Sequence, residues 1–457
     1  DIRTMSIRAA SAEAAPTPPD AAPAGVLKPL RRQDDGWVER WLETVADLGR
    51  LQHTHPMVDA VIDEIDGRRI RIEDRWLTDF ASCNYLGFDL DRRIIEAVPV
   101  FLDRWGTHPS WSRLLGSPVL YEEIEDRLTD LLGCEDTLLL PTITHIHMAV
   151  IPLLVGTGTA FVDERAHKTI YDGCAIARGR GASLRRFRHN DPDDLEALLR
   201  TSPPRGRVIA MDGVNSMTGN APDLPTFAAL AREHDAILYV DDAHGFGVIG
   251  ERSPSEPTPY GVRGNGIVRH AGETYDHVVL VGGLSKAYSS LLAFLALPTP
   301  LKEVLKVAAP PYLYSGPSPV ASLATAIAGL DANDDRGEVA RTAVFERTGR
   351  VLDTLAELGI HTPNTSGFPI VEVPLADHAD IDEVGLALFD AGIYVTLAAY
   401  PLVPKDAVGF RIQVTAANTD EQIDELCEVL RELAGRFRFQ PSRPTAWRPS
   451  LAGIPGS

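Results

Sequence analysis

Cysteine is scarce. Cys83, Cys134, Cys174 and Cys427 are the only four in 457 residues, and no two form a CxxC pair. That spacing excludes a disulfide framework and fits buried, reduced thiols in a cytoplasmic protein. Long apolar runs are missing too: none reaches the roughly 18–20 residues that span a bilayer. Basic residues are outnumbered, with 44 Lys and Arg against 64 Asp and Glu, for a formal net charge of −20. Such a surface repels phosphate backbones and acidic membranes, so neither nucleic acid nor a membrane is an expected partner. Internal repeats are absent.

The two ends are poor in large apolar side chains. Residues 1–34, including "AASAEAAPTPPDAAPAG", predict a disordered leader without the contiguous apolar core of a secretory signal. Residues 441–457 are rich in Pro, Gly and Ser and predict a flexible tail. Between them the pattern is regular. Residues 35–100 form an N-terminal segment, with helical spacing in "WVERWLETVADLGRL" and strand-like alternation in "RRIRIEDRWLTDFAS". The stretch "EEIEDRLTDLLG" predicts a helix that stops at Gly133. Six short apolar runs follow, separated by helical stretches: "DTLLLP", "GTAFVD", "SLRRFRH", "RVIAMDG", "AILYVDD" and "HVVLVGG". This alternation predicts an α/β domain over 101–330 with a mostly parallel central sheet. A smaller α+β C-terminal domain is expected over 331–440. It opens on the amphipathic "DANDDRGEVARTAVFERTGRVLDTLAELG", and a boundary is expected at about 325–335.

In parallel sheets ligands bind beyond the carboxyl ends of the strands. Several of the runs end there in a polar residue or a glycine: Asp163, Asp212, Asp241 and Gly282. Asp241 closes a buried strand, where an acid is costly unless it is paired. Lys286 follows a later strand, after two glycines. His244 stands three residues past Asp241, Ser216 follows another strand, and His167 follows "TAFVD". An acid, a lysine and two histidines at strand ends resemble a pyridoxal 5'-phosphate (PLP) site. The lysine would hold the aldehyde as a Schiff base, and the acid would keep the pyridine nitrogen protonated. His145 and His147 form an HxH, but no acid or cysteine stands at ligand spacing, so no metal is expected and packing beside the cofactor explains them.

Eight stretches, in order, carry a closer resemblance: "NYLGF", "SRLLGSPVLYEEIE", "DERAHKTIYDG", "LRRFRHND", "DGVNSMTGNAPDL", "VDDAHGFGVIG", "LSKAY" and "FRIQVTAANTDEQID". Over about residues 78–435 the chain resembles the α-oxoamine synthases, fold-type I PLP-dependent transferases that include 8-amino-7-oxononanoate synthase, glycine C-acetyltransferase and serine palmitoyltransferase. The resemblance implies a homodimer with a shared active site. It also implies condensation of an α-amino acid with an acyl thioester of CoA or a carrier protein, with decarboxylation. By the same resemblance Lys286 is the Schiff-base lysine and general base, and Asp241 the partner of the pyridine nitrogen. His244 and Ser216 contact the phenolic oxygen, and His167 stacks on the ring. Thr142, Ile143, Thr144 and Ser285 stand in the phosphate-binding stretches, and Tyr314 and Ser315 in the segment that reaches the neighbouring subunit's phosphate. Arg411 grips the amino-acid carboxylate, assisted by Asn84. The chain departs from the pattern at several places: Ile143 stands in place of a glycine, Gly283 in place of a Thr or Ser, "AYSSLLAF" in place of a Gly-rich stretch after the lysine and Asn418 in place of a histidine, and "YGVRGNGIVRHAGETYD" is an extra loop. The alternatives are other PLP chemistry at an amino acid (transamination, aldol-type cleavage or decarboxylation) and a non-catalytic partner subunit.

Overall fold

The computed structural model describes residues 45–442, together with Arg40 and Glu43. The leader expected over 1–34 and all but the first two residues of the expected tail lie outside the described residues. The first described helix is α1 (Ala46–Thr54). An antiparallel meander follows: β1 (Ile62–Asp66), β2 (Arg69–Ile72) and β3 (Arg75–Asp79). Next come α2 (Arg92–Trp105) and α3 (Val119–Leu132). Asp91 caps α2 by accepting the amide hydrogens of Arg93 and Ile94. Helix α3 ends where expected, because Gly133 takes a left-handed conformation (φ 64°) that side-chain-bearing residues rarely adopt.

The central sheet is built from β4 (Asp136–Leu140), β5 (Thr159–Asp163), β6 (Ser183–Phe187), β7 (Arg207–Asp212), β8 (Ala236–Asp241), β9 (Val278–Gly283) and β10 (Ala293–Leu297). Helix α4 (Ile143–Val155) links the first two, and α5 (Lys168–Gly179) links β5 to β6. The spatial order is β4-β10-β9-β8-β7-β5-β6. The six expected runs are strands of this sheet. The seventh, β10, was not expected as a strand, and it runs antiparallel to both β4 and β9. An apolar run such as "AFLAL" carries no mark of direction. The short return from Gly283 to Ala293 is too brief for a crossover helix, so the chain must double back.

Helix α6 (Val320–Glu357) is 38 residues long and passes through the boundary expected at 325–335. Its first half lends Leu323, Ile327 and Leu330 to the core beneath the large sheet, and its last turns lend Val351, Leu352 and Leu355 to a second core. That second core gathers β11 (Ile370–Pro374), α7 (Ile381–Asp390), β12 (Ile393–Tyr394), β13 (Thr396–Ala398), β14 (Gly409–Gln413) and α8 (Asp420–Arg436). It also takes Leu51, Ile70, Leu77 and Phe80 from the start of the described chain, and β3 pairs in parallel with β12. The N-terminal segment thus packs with the C-terminal elements, and the two cores do not follow chain order. No helix among the described residues is long and apolar enough to cross a membrane.

Candidate active site

The parallel strands deliver their last residues to one edge. Asp212 and Asp241 sit at directly paired positions of β7 and β8, and Asp241 also pairs with Val281 of β9. Both carboxylates are buried and line one cleft. Asp163, on the next strand, is instead occupied structurally: it accepts from His189 Nδ1 at 2.8 Å and from the Asn190 amide at 2.9 Å. The Asp241 Oδ1 accepts the Ala243 amide hydrogen at 2.9 Å, and its Oδ2 lies 2.9 Å from His147 Nε2. A carboxylate offers about four acceptor positions, so acceptor capacity remains for a donor in the cleft. Burial alone would raise Asp241; the hydrogen bond from His147 and the nearby Lys286 outweigh it and hold the carboxyl below its ordinary range. Asp212, buried beside that charge, is pushed well above the carboxylate range.

Lys286 lines the same cleft, past the end of β9. Its amine makes no hydrogen bond or ion pair among the described residues, and burial pulls it below the ordinary lysine range. His244 is buried, with Nδ1 2.7 Å from the Tyr85 hydroxyl. Burial and the nearby Lys286 and Arg411 cations hold its ring neutral, well below the usual histidine range. His167 caps α5: its Nδ1 lies 2.8 Å from the Thr169 hydroxyl, and its amide donates to Asp212 Oδ1 at 3.2 Å. Ser216 also lines the cleft, and its backbone oxygen accepts from Arg411 Nη1 at 2.7 Å. Arg411 projects from β14, and its Nε is buried without a partner. Arg411 does not itself line the cleft but is tied to Ser216, which does, and its planar fork with an unused donor is of the kind that suits a carboxylate.

At the other end of the cleft lie Ile143 and Thr144, in the first turn of α4. Thr142 caps that helix by accepting the His145 amide hydrogen at 3.3 Å. A 13-residue helix directs its first amide hydrogens and its positive dipole end outward, which suits an anionic phosphate. Two of the departures noted in the sequence, Ile143 and Gly283, fit each other. A Cβ built on Gly283 would lie 2.5 Å from Ile143 Cδ1, so the isoleucine occupies the room that the glycine leaves. Ser285 is exposed beside them, and neither it nor Thr142 lines the cleft. Asn84 also stands outside the lining, its amide engaged by Ser289 Oγ at 3.0 Å and Asp89 Oδ2 at 3.1 Å.

Three residues were not singled out as site residues by sequence reasoning. His147 was read as packing, Tyr85 lies inside the quoted "NYLGF", and Asp212 was noted only as a strand end. The pairing of Asp212 with Asp241 was foreshadowed by their shared place at the ends of consecutive strands. The contact of α4 with β8 had no such signal. Together the residues fit PLP: an unpaired amine for the aldehyde, an anionic buried carboxylate for the ring nitrogen, and a helix N-terminus for the phosphate.

Residues 77–430 match the family model for aminotransferase class I and II. The chain is 31% identical over 396 residues to a putative 8-amino-7-oxononanoate synthase of Desulforudis audaxviator, covering 86% of this chain and 97% of that one. It is 32% identical over 388 residues to the 8-amino-7-oxononanoate synthase of Chromobacterium violaceum, covering 84% and 96%. Among solved structures it is similar to the serine palmitoyltransferase of Sphingomonas wittichii. The TM-score is 0.77 at 26% identity, over 89% of this chain and 98% of that one.

Proposed function

The chain belongs to the aminotransferase class I and II family and, within it, to the α-oxoamine synthases, and from that membership we propose an activity for this cleft. The protein is a PLP-dependent acyltransferase that joins an α-amino acid to an acyl thioester. The amino acid loses CO2, the thioester loses its thiol, and the new carbon–carbon bond joins the α-carbon to the acyl carbon, giving an α-oxoamine. Bound PLP supplies the electron sink that stabilises negative charge at the α-carbon.

The chain's own residues supply the rest. Lys286 would hold the cofactor through its aldehyde, and its free Nζ would take the α-proton. Asp241 holds a proton at the ring nitrogen. His244 and Ser216 address the phenolic oxygen, His167 covers the ring, and Arg411 receives the substrate carboxylate. Thr144 and the first amides of α4 receive the phosphate. The observation that carries this reading is the meeting of an unpaired Lys286 amine with an anionic, buried Asp241 in one cleft. Purified protein given PLP, a panel of amino acids and acyl thioesters should release free thiol and CO2 in equal amounts. Amino-acid-dependent chemistry without thiol release would sink the acyltransfer reading.

A homodimer completes the reading. Trp111, Leu114 and Leu115 are exposed apolar side chains. Their segment lies against the Tyr314–Pro317 segment, where His108 Nε2 is 2.8 Å from the Pro317 oxygen. Tyr314 is itself 80% exposed. Exposed apolar side chains gathered on one face favour an occupant, and a second copy of the chain is the one the family uses.

A further inference from the structure

Behind Asp241, on the side away from the cleft, lies a histidine that the proposed chemistry does not use. His147 sits on α4 and is fully buried. Both ring nitrogens are held: Nε2 lies 2.9 Å from Asp241 Oδ2, and Nδ1 lies 2.9 Å from the Tyr239 hydroxyl. Hydrogen-bond bookkeeping places the protons. An ionised carboxylate only accepts, so Nε2 carries a hydrogen. The Tyr239 hydroxyl has no other partner among the described residues, so its hydrogen points at Nδ1, which accepts it. A doubly protonated ring would leave the Tyr239 hydrogen buried without an acceptor. The neutral ring satisfies all three groups.

A second observation gives this arrangement a purpose. Asp212 and Asp241 are paired across β7 and β8, and two carboxylates so placed do not both ionise cheaply. Something must decide which one holds the charge. Asp212 accepts from the Asn215 side-chain amide at 3.0 Å and from the His167 backbone amide at 3.2 Å, at the edge of the cleft. Asp241 receives the only imidazole donor of the pair, from a side that solvent does not reach.

We propose that His147 is a positioning residue that assigns the negative charge of this carboxylate pair to Asp241, with Tyr239 fixing the tautomer, so that a cofactor ring nitrogen facing Asp241 stays protonated. The inference rests on the PLP reading above. A histidine kept only for packing predicts that an apolar ring of similar size leaves the charge where it was.

The test uses the protein loaded with PLP labelled with 15N at the ring nitrogen, in wild type, His147→Phe and Tyr239→Phe. The 15N shift reports protonation of that nitrogen directly and does not depend on turnover. In wild type the shift stays at the protonated value from pH 6 to 9. In His147→Phe the ring nitrogen loses its proton within that range, and PLP affinity falls about ten- to a hundredfold, as expected for loss of a hydrogen bond to a charged group. Tyr239→Phe, which removes one oxygen atom, moves the titration the same way by a smaller amount. A folded His147→Phe with the wild-type shift at every pH and PLP affinity within twofold overturns the inference. Should His147→Phe fail to fold, Tyr239→Phe decides alone, and a titration identical to wild type overturns it. Wild type that takes up no PLP overturns the functional reading itself; wild type that binds PLP while the variants match it overturns this inference alone.

Discussion

Arg411 of β14 donates from Nη1 to the backbone oxygen of Ser216 at 2.7 Å, tying the small sheet to the loop that follows β7. The bond uses one donor of a five-donor fork and leaves Nε buried without a partner. Arg411→Ala is therefore expected to weaken amino-acid binding by roughly ten- to a hundredfold, at about 1.5–3 kcal/mol per charged hydrogen bond lost. The absorbance of the bound cofactor should not change. Spectral titration with amino acid, wild type against variant, checks this. Equal dissociation constants would remove Arg411 from the site.

Glu372 pairs with Arg411 across β11 and β14 and is buried. Burial pushes its carboxyl up to about 7, more than Arg165 and Arg411 pull it down. A carboxyl raised in the folded state stabilises the fold below its ordinary range and gives that stability up as pH rises through about 7. Glu372→Gln should thus be more stable than wild type at pH 8, by on the order of 1–3 kcal/mol, and no more stable at pH 4.5. Thermal melts at the two pH values measure the difference, and an equal shift at both would contradict the assignment.

Arg113 and Glu125 form a buried ion pair at 2.9 Å, with side chains only 8% and 6% exposed. The same Glu125 oxygen accepts the Leu139 amide hydrogen at 2.9 Å, and Lys302 Nζ lies 3.2 Å from the other. Glu125→Ala would strand the Arg113 charge inside the fold at a cost of about 3–5 kcal/mol. Urea denaturation should show that loss, and a change below about 1 kcal/mol would mean that water reaches the pair.

The exposed Leu115, 80% accessible, is a sharp probe of assembly. Light scattering should give a homodimer for wild type and a shift towards monomer for Leu115→Glu, with cofactor occupancy falling in parallel. A wild-type monomer with full cofactor occupancy would exclude the shared site.

Much of the cleft was legible because the chemistry sits at strand ends, where apolar runs stop at Asp212, Asp241 and Gly282; Asp163, a fourth such end, is bound by His189 and Asn190 and does not line the cleft. Chain order then supplied His167, Ser216, His244 and Lys286, all of which the sheet brings to one edge or close beside it. Contacts between an element's flank and a distant strand were not legible. His147 meets Asp241 and Tyr239 through the packing of α4 on β8, and Tyr85 reaches His244 across 159 positions. The steric exchange between Ile143 and Gly283 was visible only as two separate departures, because neither residue announces that the other makes room for it. The antiparallel β10 and the pairing of β3 with β12 depend on loop length and long-range closure, which periodicity does not encode.

The central claim is that Lys286 carries the cofactor. Incubating the purified protein with PLP, reducing it with borohydride and mapping the peptides should place the added mass on the peptide containing Lys286, with none on the same protein carrying Lys286→Ala. Reduced cofactor on another lysine, or none on wild type, would contradict the account.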